Sequence, residues 1–174
     1  FTPQHSIRHN AIAVGQGRVY LIDRPIASGD AAQAQTPPPV AATTQPAGRL
    51  LCLDLETGKV LWQTDDDVFG TLLAVSPEHD VLLMSYQATR FKLDSELGGR
   101  LAGYRASDGT RLWSIKAKYQ SRPILNDRAV YAEPGKWDLL SGAPLPVEFS
   151  RSYGCGILAG SQRLLVYRSA TLGY

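Results

Sequence analysis

Cysteine is scarce in this chain. Cys52 and Cys155 are the two that occur among 174 residues. Neither stands in a CxxC, a CxxCH or a metal-type spacing, so structural zinc and covalently attached haem find no support. Long apolar runs are missing too. Nothing approaches the roughly 20 residues that a membrane-crossing helix needs, and no membrane span is expected. No stretch of convincing length shows the apolar period of an amphipathic helix. A large charge of either sign is also absent. The 18 basic and 16 acidic residues leave a formal charge of +2, which argues for no special partner, nucleic acid included. There is no GxSxG elbow, phosphate loop or dinucleotide fingerprint. What remains, 44% apolar and 20% charged, is ordinary for one globular domain with a real core. The first residue is Phe1, not Met, and no signal peptide is visible; a removed leader and a fragment are the two readings.

What is present is a repeat. Leu50-Leu51-Cys52-Leu53-Asp54-Leu55-Glu56-Thr57-Gly58-Lys59-Val60-Leu61-Trp62 is its clearest copy. Leu101 to Trp113 is the second, with Gly109 on Gly58 and Trp113 on Trp62. Lys136 to Gly142 is a worn third, with Asp138 on Asp54 and Gly142 on Gly58. Each reads as a hairpin, and each follows a pair of short β-branched and aromatic strands. Those pairs are Ala11–Val14 with Arg18–Ile22, Leu72–Val75 with Val81–Tyr86, and Pro123–Leu125 with Ala129–Ala132. A fourth pair, Gly156–Ala159 with Arg163–Tyr167, is predicted to turn at Gly160-Ser161-Gln162. Four short antiparallel strands repeated in series make the blades of a β-propeller.

Two insertions break the period. Residues 25–48 hold five prolines and seven alanines, cannot bury a core, and are expected to be a disordered exposed loop. Gln87 to Gly99 is a shorter excursion. The predicted blade-like units are 11–64, 71–116, 122–149 and 155–174, one all-β domain of about three and a half four-stranded blades. Closed propellers have about four to eight blades. A shorter arc leaves open edges, so an incomplete piece of a larger propeller, prone to self-association when alone, is the expectation.

The repeat resembles the pyrroloquinoline-quinone-like (PQQ-like) repeat of quinoprotein alcohol dehydrogenases, also found in propellers that bind no quinone. Cys52 to Trp62 matches the family pattern almost fully; the second copy departs at Arg105, and the third has Pro146 in place of the Trp. The residues themselves read as packing devices. Gly58, Gly109 and Gly142 sit where a tight turn wants positive φ. Asp54 can accept from the backbone of its turn. Trp62 and Trp113 offer apolar area between neighbouring sheets and an indole N–H for a carbonyl. Tyr20, Tyr86, Tyr131 and Tyr167 are assigned equivalent strand positions as core or inter-blade packing. Asp54, Gly58, Trp62, Gly109, Trp113, Asp138 and Gly142 are therefore the structural repeat residues.

Site candidates outside the repeat are few. Asp65-Asp66-Asp67 lacks the alternation, Gly and later Glu of a calcium loop, and reads as a solvated loop. His5 and His9 form an HxxxH, which aligns ligands on a helix that Pro3 and its polar neighbours disfavour. Cys52 takes a small buried position. Cys155, among glycines, is open to three readings: plain packing, a disulfide to a cysteine beyond Tyr174, or a special role. Arg151 and Arg168 flank that segment, too few to define an anion site. Seven acids against one Lys in Asp54–Asp80, and nine bases against four acids in Arg90–Arg128, read as solvated strands and loops.

The resemblance implies a periplasmic or extracellular location, with roles in family members that include outer-membrane protein assembly and domains of large exported proteins. The leading expectation is a non-catalytic binding or scaffold module whose partners are a protein or glycan and the remaining blades of the parent chain. The alternative is a fragment of a PQQ-dependent alcohol or sugar dehydrogenase, with PQQ and calcium as cofactors; no cofactor is otherwise evident. Such an enzyme is expected to show an adjacent Cys-Cys pair and a calcium site with Glu and Asn, and neither occurs in this sequence. A ligand receptor at the channel mouth is a third reading.

Overall fold

The computed structural model describes residues 1–5, 7, 9–25, 48–86, 99–119, 121–147, 159–160 and 164–166. After a single 3₁₀ turn, His9–Ala11, the described elements are all strands. β1 (Ile12–Gly15), β2 (Arg18–Asp23), β3 (Arg49–Asp54) and β4 (Val60–Thr64) form the first sheet, each strand antiparallel to the next. β5 (Leu72–Ser76), β6 (Val81–Ser85), β7 (Arg100–Arg105) and β8 (Arg111–Lys116) repeat that order in the second. β9 (Ile124–Asn126), β10 (Ala129–Ala132), β11 (Gly135–Asp138) and β12 (Pro144–Leu145) repeat it in the third. β13 (Ala159–Gly160) and β14 (Leu165–Val166) form a two-stranded ladder. The first strands of successive units meet: β1 lies beside β5, β5 beside β9 and β9 beside β13. Sheets arranged side by side through their innermost strands make a propeller arc.

Two sequence expectations are corrected by the register. Tyr20 pairs with Cys52 and Tyr131 with Lys136, the same place in two sheets; the second sheet has Leu83 there, opposite Gly103. Tyr86 lies three residues further on, just past β6, where a different set of contacts buries it against Phe69. Both positions are apolar, so hydrophobicity alone could not separate them. In the last unit Gly160 is not a turn residue: it pairs with Leu165 inside the ladder. Tyr167, Cys155, Arg151, Arg168 and nearly all of the 25–48 and 87–99 insertions lie outside the described residues.

The second strand of the second sheet, β6, is buried on both faces. All five residues of β6 are buried. Leu82 and Met84 face the first sheet, in a core with Tyr20, Leu50, Cys52 and Tyr104. Val81 and Leu83 face the third, with Leu101, Trp113, Val130 and Leu139. Alternation puts successive side chains on opposite faces, so a continuously apolar run is what a strand sandwiched between two neighbours requires.

The N-terminal residues lie on the far face of the first sheet, where Ile7 packs with Leu21, Leu51 and Leu53. Asp23 holds them there. Its carboxylate is fully buried and accepts from Gln4 N (2.8 Å), His5 N (3.0 Å), His5 Nδ1 (2.8 Å) and Arg49 (2.9 Å). Burial pushes the Asp23 pKa up, but the bonds from Gln4, His5 and Arg49 outweigh it and leave it below the ordinary 3.8. A carboxyl whose folded pKa is lowered stabilises the fold above its unfolded value and stops doing so as pH falls through the folded one. The Gln4 and His5 amides are therefore expected to stay protected from hydrogen exchange above about pH 4. They should lose protection before the sheets do as the pH drops further, and lose it at neutral pH in Asp23→Asn. Equal protection in that variant would contradict the clamp.

Candidate functional site

The repeat residues converge on the junctions between sheets. Asp54 accepts from Thr57 N (2.8 Å) and Thr57 Oγ1 (2.7 Å); Asp138 accepts from Ser141 N (2.9 Å) and Ser141 Oγ (2.8 Å). These bonds close the turns and leave Gly58, Gly109 and Gly142 at φ of 67°, 79° and 71°, the left-handed region that glycine enters without a Cβ clash. In the second copy Arg105 replaces the turn aspartate and binds Asp108 (3.1 Å), which also accepts from Thr110 N (2.8 Å). The bonds from Thr110, and then that from Arg105, lower the Asp108 pKa to about 2. The substitution thus moves the carboxylate within the turn and keeps its task.

The turns of the second and third sheets each receive a tryptophan from the preceding sheet. Trp62 lies on Gly109, and a Cβ added at Gly109 would come within 2.6 Å of its ring. Trp113 lies on Gly142 in the same way, at 2.7 Å. The indole N–H of Trp62 donates to Ala106 O (3.0 Å) and that of Trp113 to Leu139 O (2.9 Å), each three residues before the turn glycine. Arg18 reaches the same Ala106 oxygen (3.3 Å). Sequence reasoning named these glycines as turn residues and these tryptophans as packing between sheets, without pairing them. The receiving carbonyls escaped it because the backbone is common to every residue; the fixed offset from the turn glycine was the available signal.

The other candidates separate. Of the acid run, Asp67 pairs with Arg100 and Asp66 with Arg111 (3.0 Å), so the acidic and basic stretches neutralise each other across the first junction. The Arg100 bond holds the Asp67 pKa below its ordinary value. His5 is bound to Asp23, and no group of three His, Cys, Asp or Glu among the described residues is placed to hold a metal. Cys52 is buried and unbonded to another cysteine; burial raises its pKa. One concave surface lies between the inner hairpins of the second and third sheets, an open cleft of about 390 Å³ lined by residues 75–78 and 125–127. Ser76, Glu78, Asn126 and Asp127 give it polar groups beside Val75 and Leu125.

Comparison with known proteins gives the fold a name. No protein-family model matches the chain, and no curated protein matches it in sequence. Among solved structures it is similar to BamB from Moraxella catarrhalis, with a TM-score of 0.59 and 14% identity over 97% of this chain. The fold is a β-propeller arc of the kind seen in BamB. The chain spans 45% of that BamB chain. A europium-containing methanol dehydrogenase (TM-score 0.47, 14% identity, 93% of this chain and 25% of that one) is also found. So is the quinohemoprotein alcohol dehydrogenase ADHIIG from Pseudomonas putida HK5 (0.46, 16%, 76% and 19%).

The ring-on-glycine geometry orders the cost of adding one methyl group. Gly58→Ala places a Cβ at positive φ in open surroundings, where the nearest atom is Phe1 N at 3.8 Å, and is expected to cost about 1–2 kcal/mol. Gly109→Ala and Gly142→Ala add overpacking against an indole, about 1–3 kcal/mol more. Urea unfolding of the three variants measures the order, and equal losses would contradict it.

Proposed function

We propose that this arc is a non-catalytic binding or scaffold module of a larger, exported propeller protein. The observation that carries the reading is how the carboxylates are engaged. A dehydrogenase base must be free to take a proton, with a pKa near the working pH. Among the described residues every carboxylate with a displaced pKa is displaced downward: Asp23, Asp54, Asp67, Asp108 and Asp138. Each is tied to a turn, to the N-terminal segment or to an arginine. The repeat's aromatic and glycine residues are likewise engaged between sheets. The open cleft at the inner hairpins is wide and mixed in polarity, which suits a peptide loop or a glycan better than an enclosed cofactor. The likeness to BamB supports protein partners and a periplasmic setting for this module.

The reading is tested by calorimetric titration of the intact parent protein with PQQ and calcium. The expected result is no heat on a folded sample. A saturable isotherm of defined stoichiometry at micromolar affinity or tighter would overturn it in favour of the dehydrogenase.

A further inference from the structure

The inner hairpins are stitched to one another except at one place. Gly15, Ser76 and Asn126 end the first strands of the three sheets at one register, paired with Arg18, Val81 and Ala129. Between the first and second hairpins, Gln16 Nε2 donates to Pro77 O (2.9 Å), and a Cβ at Gly15 would meet the Pro77 ring at 3.1 Å. From the third hairpin, Asn126 Nδ2 donates onward to Leu164 O (3.4 Å). Among the described residues no hydrogen bond joins the second hairpin to the third.

The cause is local. The first and third hairpins turn on two residues, the second on four. Ser76 holds the register of Asn126, but its hydroxyl is bound to His79 Nδ1 within its own longer turn (3.0 Å). Pro77 follows Ser76 as Gln16 follows Gly15, and it has no side-chain donor to reach forward with. The cleft of about 390 Å³ opens in this gap, between residues 75–78 on one wall and 125–127 on the other.

Its lining carries charge of one sign. Glu78 and Asp127 are its charged residues, one on each wall, and both are exposed. Neither has an ion pair or a hydrogen bond among the described residues. Arg128, next to Asp127 in the chain, is turned to Asp138 (3.2 Å). Carboxylates on both walls repel a phosphate or carboxylate ligand. No aromatic ring lines the cleft, so a sugar finds no face to stack on. Val75, Pro77 and Leu125 supply apolar surface between the acids, which suits the methylene stem of a long cation. A guanidinium presents donors along several directions and can serve two carboxylates at once.

We propose that this cleft seats an arginine side chain carried by a protein partner, with the guanidinium between Glu78 and Asp127 and the stem on Val75, Pro77 and Leu125. The proposal rests on the reading of the arc as a binding module and narrows its partner to a basic segment of a protein. The two fail separately: a quinone isotherm removes the module, whereas silence toward arginine removes the arginine seat alone.

Saturation-transfer NMR on the intact parent protein tests it. The probe is an end-capped pentapeptide with one central arginine among glycines and alanines. Transfer is expected to be strongest at the arginine methylenes and to disappear when citrulline, of the same shape without the charge, replaces the arginine. The double variant Glu78→Gln, Asp127→Asn is expected to raise the Kd about tenfold. It should melt as the parent does, because both residues are exposed in turns and Asn tolerates the φ of 49° at position 127. No transfer to the arginine peptide, equal transfer to the citrulline peptide, or an unchanged Kd in the double variant overturns the proposal. Transfer to maltotriose that the double variant abolishes would give the cleft to a glycan and equally overturn it.

Discussion

An indole laid on a left-handed glycine joins the first sheet of this arc to the second, and the second to the third. The contact needs three things at once: a ring from one sheet, a turn without a Cβ on the other, and a carbonyl at indole N–H distance. Trp62 with Gly109 and Ala106 O meets all three, and Trp113 with Gly142 and Leu139 O meets them again. The Arg105–Asp108 pair and the Asp138 turn serve this contact by closing the turns that carry Gly109 and Gly142 in the left-handed conformation. Dispersion between the flat ring and the exposed turn backbone is gained only if no methyl intervenes. The cores between the sheets are apolar, and apolar contact is non-directional. The N–H bond is directional and fixes their offset.

The spacing of Asp, Gly and Trp was enough to place the sheets, because a repeat that must present the same ring to the same turn cannot drift. Where the repeat wore thin, reading became harder. Leu83 replaces the tyrosine of Tyr20 and Tyr131, so the nearest tyrosine in sequence, Tyr86, was given a register it does not have. Gly160 looked like a turn residue and is a strand residue, since glycine's permissiveness also suits close approach between strands; a Cβ there would meet Ile124 at 3.0 Å. Asp23 was invisible in advance. Nothing local marks an aspartate at the end of a strand as the anchor for backbone nineteen residues upstream. The pairing of Asp66 and Asp67 with Arg111 and Arg100 was equally hidden, because it joins the segment after one sheet to the outer strands of the next.

Function was less legible for a physical reason. In a repeat fold the residues that recur are those that hold neighbours together, while a binding surface occurs once and leaves no period. Here the recurring polar groups are satisfied by their own turns and junctions, and Asp54, Asp108 and Asp138 are stabilised there in their charged forms. Among the described residues, two of the outward surfaces are the cleft at the inner hairpins and the apolar far face of the first sheet. One is mixed in polarity and wide; the other exposes Ile12 and Val14.

The account stands on the ring-on-glycine contact, and a double-mutant cycle between Trp62→Ala and Gly109→Ala tests it most directly. If the indole is what makes a methyl at Gly109 costly, removing the ring removes the overpacking part of that cost. The two losses are then non-additive, with a coupling of about 1–3 kcal/mol in urea unfolding. Additive losses would show that the ring and the turn do not meet, and would contradict the way this arc is held together.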